Sequence, residues 1–209
     1  MSAQRLLAFV ALQDHPVLRT YVAGMLWLES SDEHATSSLR SALWRLRQSG
    51  YDLVEAVGPK LSIAPDVTVD VREAAAWSRS LLAGAADSFA DGPNGLGLLG
   101  ELLPDWYDDW VLLERDRLRE LRVHALESLC QRLTAEARFA EAMETAQAIV
   151  KLEPLRDSAH RLLIRVHLAE GNQSEAVRHY RLYRRLLRDE LGLRPSRQMR
   201  ELMTPLVRP

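Results

Sequence analysis

The chain has 209 residues, of which 47% are hydrophobic and 27% charged, enough for one large or two small domains of about 100 to 150 residues each. That balance argues against a disordered, collagen-like or membrane-spanning protein, and no stretch approaches the ~20 apolar residues of a spanning helix. Twenty-seven Lys plus Arg stand against 29 Asp plus Glu, a net charge of -2, so any nucleic-acid binding has to come from a local patch. Twenty-five of the 27 cations are Arg, the side chain suited to two-point contacts with phosphate and guanine. One cysteine, Cys130, excludes an intrachain disulfide framework and fits a reducing cytoplasm. Residues 1 to 15 lack a basic start, an unbroken apolar block and a small-residue cleavage site, so secretion is not expected.

Almost every segment reads as helix. Gln4 to Leu12 is a short amphipathic run broken by Asp14, His15 and Pro16, and Val17 to Leu28 is a second. Ser30 to Glu33 has capping-box spacing, which predicts a third helix from about Glu33 to Gln48, stopping at Ser49-Gly50. Leu53 to Val57 and Leu61 to Ile63 then form two short, partly β-branched runs around Gly58-Pro59-Lys60, a hairpin pattern. Three helices and a hairpin before Pro65 outline a winged helix-turn-helix. Helix returns at Asp70 to Glu73, another capping-box spacing. It is interrupted by the glycine-rich Asp91 to Gly95, with Gly97 and Gly100, read as a loop or hinge. A long helix is expected from about Trp110 to Leu133, with apolar residues at Leu118, Leu121, Ala125, Leu129 and Leu133.

The remainder repeats with a period of 34. That shift superposes Ala125 on Ala159, Leu129 on Leu163, Ala135 on Ala169, Glu136 on Glu170, Glu141 on Glu175 and Ala142 on Ala176. Thirty-four is the tetratricopeptide period, a helix-turn-helix unit in which small residues let two helices approach closely. The second unit departs from the first at two places: Ile164 replaces the small Cys130, and Arg188 replaces Pro154.

A helical wheel of the third helix puts Leu39, Ala42, Leu43 and Leu46 on one stripe. Ser37, Ser41, Trp44, Arg45 and Gln48 lie opposite, with Arg40 and Arg47 on the flank. From His34 to Gln48 there are three Arg and no acid. Such a face suits the major groove, where Arg pairs with guanine, Gln with adenine and Ser reaches phosphate. Trp44 on that face calls for a partner such as thymine methyls or sugar atoms. The competing reading is a solvated Arg-rich helix with Trp44 packed on the hairpin. Lys60, at the hairpin tip and placed to reach a phosphate, weighs towards DNA.

The run Ser38-Leu39-Arg40-Ser41-Ala42-Leu43-Trp44-Arg45-Leu46-Arg47 resembles the recognition-helix region of the Streptomyces antibiotic regulatory protein family of transcriptional activators. Gln4-Arg5-Leu6-Leu7-Ala8-Phe9 resembles the first helix of their OmpR-type DNA-binding domain. Gly100 to Val111 with Glu114-Arg115 is similar to the signature of their bacterial transcriptional activator domain, and Asp189 to Pro195 to its end. The resemblance implies an activator that binds repeated sites in double-stranded promoter DNA and helps recruit RNA polymerase, with an all-helical, tetratricopeptide-like second domain. The expected division is a winged helix over residues 1–66 and an activator domain over residues 67–209. Family members usually begin with a few strands before the first helix, whereas this chain opens almost directly at Gln4. A winged helix without those strands is therefore expected, and whether such a chain binds DNA alone stays open.

Other motifs carry less. Gly95 to Gly100 fits the dinucleotide fingerprint letter by letter, but no predicted strand precedes it and Pro104 stops any helix that follows. The six His form no HExxH, and His160 and His167 are too widely spaced to share a metal without further ligands. Cys130 falls at a small-residue packing position with no base nearby in sequence. No enzyme activity, cofactor or metal is expected. Arg178, Arg181, Arg185 and Arg188 form one basic stripe, with Arg184 beside it. It is either a solvated face or a contact to DNA or to an acidic surface on polymerase. The aromatic, acidic segment Trp106 to Trp110 is either a partner surface or core. The expectation is a mainly α, cytoplasmic, DNA-binding activator with no membrane contact, and homodimerisation stays open. The alternative is a protein-interaction or ligand-sensing adaptor that no longer binds DNA on its own.

Overall fold

The computed structural model describes residues 2–48, 50–85 and 100–206. By contact these fall into two units, Met1–Glu73 with Leu102–Arg115, and Ala74–Glu101 with Asp116–Pro209. The first unit thus takes in Leu102–Arg115, which the sequence reading placed in the second domain.

In the first unit α1 (Ser2–Ala11) buries Leu6, Phe9 and Val10, the i, i+3, i+4 face of an amphipathic turn. The Arg72 guanidinium closes its C-terminal end by donating to the carbonyls of Val10, Ala11 and Gln13. The second helix is shorter than expected. Val17–Leu18 is strand β1, and α2 occupies only Arg19–Leu26. A β-branched residue directly after Pro16 favours extended backbone, and β1 finds a partner: Val17 pairs with Leu61 and Leu18 with Lys60. Helix α3 (Asp32–Arg47) is capped by Ser31, not Ser30; its Oγ accepts from the His34 amide and lies 2.8 Å from His34 Nδ1. The expected Ser30–Glu33 box is displaced by one residue because Ser30 is drawn into a turn, its N–H donating to the Trp27 carbonyl.

Strands β2 (Val54–Val57) and β3 (Lys60–Ile63) form the expected hairpin. Gly58 at φ +56° lets a two-residue turn close it, with Val57 opposite Lys60. The sheet is antiparallel in the order β1-β3-β2. Leu61 and Ile63 point into a core built from Leu6, Phe9, Val22, Leu26, Leu39, Ala42 and Leu46. Trp110 and Val111 complete that core, Trp110 meeting Phe9 edge-on at 5.2 Å and Trp106 at 6.4 Å. Arg115 fixes the preceding segment by donating to the carbonyls of Leu102, Leu103 and Trp106, and Arg5 pairs with Asp108.

The second unit contains α4 (Asp70–Leu82) from Ala74 onward and α5 (Asp109–Ala135) from Asp116 onward, then α6 (Phe139–Leu152), α7 (Asp157–Glu170), α8 (Gln173–Leu191) and α9 (Arg197–Met203). The 34-residue period is visible in three dimensions, since α6 and α8 start one period apart. Ala125 and Ala159, Leu129 and Leu163, Cys130 and Ile164, and Ala142 and Ala176 are all buried. Arg119 grips the buried Glu153 carboxylate with two nitrogens and ties α5 to the turn after α6. Residues 86–99, including the glycine-rich run up to Leu99 and most of the fingerprint-like sequence, lie outside the described residues.

Candidate nucleic-acid interface

The wheel of α3 holds. Ala35, Leu39, Ala42 and Leu46 are buried, Leu43 half-buried, and Ser37, Arg40, Ser41, Trp44, Arg45, Arg47 and Gln48 all exposed. Trp44 is 63% exposed and so is not packed away on the hairpin. Asp32 and Glu33 sit in the first turn and Arg45 and Arg47 in the last. This arrangement suits the helix dipole and concentrates positive charge towards the C-terminal half.

The flanks of this face differ. Arg45 leans towards α1, its Nη1 donating to Ser2 Oγ at 3.0 Å. Arg40 lies on the opposite side and lines a cleft of about 270 Å³ between α3, the start of α2 and the hairpin turn. Arg19, Thr20 and Thr36 line the same cleft, with Pro59 from the turn. The Arg19 amide donates to the Pro59 carbonyl at 2.8 Å, which locks the turn against the start of α2. The buried Nε of Arg19 has no hydrogen-bond partner among the described residues. Two guanidiniums, two hydroxyls and no carboxylate therefore converge on one cleft. Such a donor set suits an anion.

Sequence reasoning missed Arg19, Thr20 and Thr36. No local signal in the sequence brings them together, because the cleft is assembled from α2, α3 and the hairpin turn. Lys60 is the first residue of β3, beside the Gly58-Pro59 tip, and is exposed.

The remaining candidates separate by burial. Trp110 is core and Trp106 half-buried against it, while Tyr107 is 76% exposed. Of the basic stripe on α8, Arg178 pairs with Glu175 and Arg188 with Asp189. Arg181, Arg184 and Arg185 are exposed and unpaired among the described residues. Cys130 is fully buried, donates to the Ala142 carbonyl, and burial pushes its thiol up to about 11, so it remains an unreactive thiol. His160 is linked to His179, not to His167: Nδ1 lies 2.9 Å from His179 Nε2, and Nε2 donates to the Pro154 carbonyl. Among the described residues no group of three or more His, Cys, Asp or Glu is placed to hold a metal, and no helix is long and apolar enough to cross a membrane.

Residues 70–206 match the bacterial transcriptional activator domain family. The regulatory protein AfsR of Streptomyces coelicolor is 29% identical over 204 residues, 90% of this chain and 20% of its own length. AfsR of Streptomyces griseus is 28% identical over 207 residues, 91% of this chain and 21% of its own. The chain thus spans about a fifth of the length of these curated relatives. Among solved structures, Mycobacterium tuberculosis EmbR, determined in complex with a low affinity phosphopeptide, superposes with a TM-score of 0.65 at 25% identity. The match covers 96% of this chain and 57% of EmbR.

Proposed function

The chain belongs to the bacterial transcriptional activator domain family, and we propose that it is a sequence-specific transcription activator that reads repeated promoter sites through α3 and helps recruit RNA polymerase. The observation that carries this reading is the α3 face itself: seven polar, basic or aromatic side chains exposed together, opposite the stripe that packs into the core, with no acid among them. In this reading Arg40, Trp44, Arg47 and Gln48 meet base edges and sugars in the major groove, and Ser37 and Ser41 steady the helix on the strand. Lys60, Arg19 and Thr20 flank α3 on the hairpin side and contact backbone phosphate, a sequence-independent role. Arg45, already bonded to Ser2, has less freedom to reach a base. The DNA-reading part is assigned to residues 1–66 and the recruiting part to residues 67–209, working in the cytoplasm without cofactor or metal.

The test is a mobility-shift titration in moderate salt, comparing upstream DNA of the same genome with random duplex. Specific binding in the range ~10⁻⁸ to 10⁻¹¹ M, well above binding to random DNA, is expected. Equal affinity for both duplexes would favour the adaptor reading instead.

A further inference from the structure

Beside α8 a groove of about 560 Å³ runs between that helix and the chain that follows α9. Arg178, Arg181 and Arg185 form its wall. Val177 and Leu206 form its floor, both half-buried against the cluster around Tyr183 and Met199. No carboxylate lines it. Arg178 is engaged by Glu175, whereas Arg181 and Arg185 have no partner among the described residues. Like charges at i, i+3 and i+4 work against an isolated helix, so the fold does not require this wall. Arg181 and Arg185 stand one turn apart, about 6 Å along the axis, in one row of α8 with Val177 a turn before Arg181.

We propose that this groove docks an acidic polypeptide segment that carries an apolar side chain beside its carboxylates. The carboxylates meet Arg181 and Arg185, where two-point guanidinium pairing is strongest, and the apolar side chain covers Val177 and Leu206. Exposed Leu182, 52% accessible on the next row of α8, extends the apolar contact. A DNA backbone would satisfy the arginines but leave the floor without a complement, so a polypeptide is the better fit. The proposal rests on the recruitment half of the function above and is independent of base reading by α3.

The experiment uses the whole chain, without DNA or polymerase. Binding of a short fluorescein-labelled peptide alternating Glu and Leu is followed by anisotropy. An R181E/R185E double variant is expected to bind about tenfold more weakly, while Arg165→Glu, reversing an exposed and unpaired Arg on α7, stays within about twofold of the parent. A peptide alternating Glu and Ser should bind more weakly than the Glu-Leu peptide, and Leu206→Ser should reduce the difference. Undiminished binding by the double variant overturns the proposal, as does equal binding of the two peptides, which would make the groove a plain anion patch. Displacement of the peptide by random duplex DNA at equal charge concentration would assign the groove to DNA instead. Circular dichroism melts of each variant establish that a loss is not unfolding. A failed mobility shift leaves a positive peptide result standing, so the two readings fail separately.

Discussion

Ala137 and Gly171 lie one 34-residue period apart, at the tight turns before α6 and α8, and both hold left-handed backbone, at φ 58° and 92°. The repeat therefore extends to a backbone conformation that the two residue types tolerate unequally. A Cβ at Gly171 would meet nothing within 4 Å, so the difference between the sites is conformational and not steric crowding.

Ala137→Gly is expected to stabilise the protein by about 0.5–1 kcal/mol, part of the left-handed penalty being offset by glycine's greater unfolded-state entropy. Gly171→Ala should destabilise it by about 1 kcal/mol. Differential scanning calorimetry of the two variants reads both signs. A lower melting temperature for Ala137→Gly would mean that the Ala137 methyl makes contacts worth more than the left-handed penalty.

Ala142 and Ala176 are fully buried where paired helices cross, and Cys130 Sγ touches the Ala142 carbonyl. Replacing Ala142 with Leu overpacks this crossing, at a cost of ~1 to 3 kcal/mol. Melting should move down while promoter binding by α3 persists. If the second domain recruits polymerase, transcription in a reconstituted assay should fall more than promoter occupancy. Unchanged thermal stability would remove the tetratricopeptide register.

The register of unit two was legible because a helical repeat writes its packing into sequence at fixed intervals; Ala125, Leu129 and Ala142 recur one period later as buried residues. The α3 face was legible for the same reason, since the 3.6-residue helical period sorts its residues onto two sides. Strand β1 was not legible. Two residues carry no periodicity, and Val17-Leu18 becomes a strand only because β3, more than 40 residues away, offers a free edge. The cleft around Arg19 and Arg40 was hidden likewise, being assembled from three separate elements. Trp110 read as either core or partner surface because its role depends on Phe9, a contact that spans the length of the first unit's sequence.

The pair His160 and His179 predicts an acid-sensitive second unit. His160 spends Nε2 on the Pro154 carbonyl, which leaves Nδ1 to accept from His179; protonating His160 would set two N–H groups face to face, and protonating His179 would place a buried charge beside it. Burial, then the neighbouring His160, His167 and Arg178, push His179 down to about 4, and burial lowers His160 despite Pro154 and Asp157. Both folded-state values lie below the unfolded one, so the contribution is complete above about pH 6.5 and is lost as pH falls towards 4. On the order of 2 kcal/mol of stability should disappear across that window. Thermal melts at about pH 7.5 and pH 5 measure the change, and His179→Asn, which retains a donor for His160 but does not titrate, should flatten it. An identical slope in that variant would place the acid sensitivity elsewhere.

The two flanks of α3 lead to different expectations for two arginines of the same helix. Arg40 lines the cleft beside the hairpin turn and makes no contact among the described residues that would hold it back, whereas Arg45 is bonded to Ser2. Arg40→Ala should therefore cost ~1 to 3 kcal/mol of operator binding and relax specificity at one base position. Arg45→Ala should cost less and leave the specificity ratio nearly intact. Lys60→Ala, outside the groove-reading face, should weaken operator and random DNA alike and lower the salt slope by about 1. Titrations of operator and random duplex across a salt series separate these three behaviours in a single data set. A sequence-selective loss at Lys60 would move it among the base-reading residues. Parent-like specificity in Arg40→Ala combined with a large, selective loss in Arg45→Ala would mean that the Ser2 contact breaks on DNA and that α3 reads the groove from its α1 side.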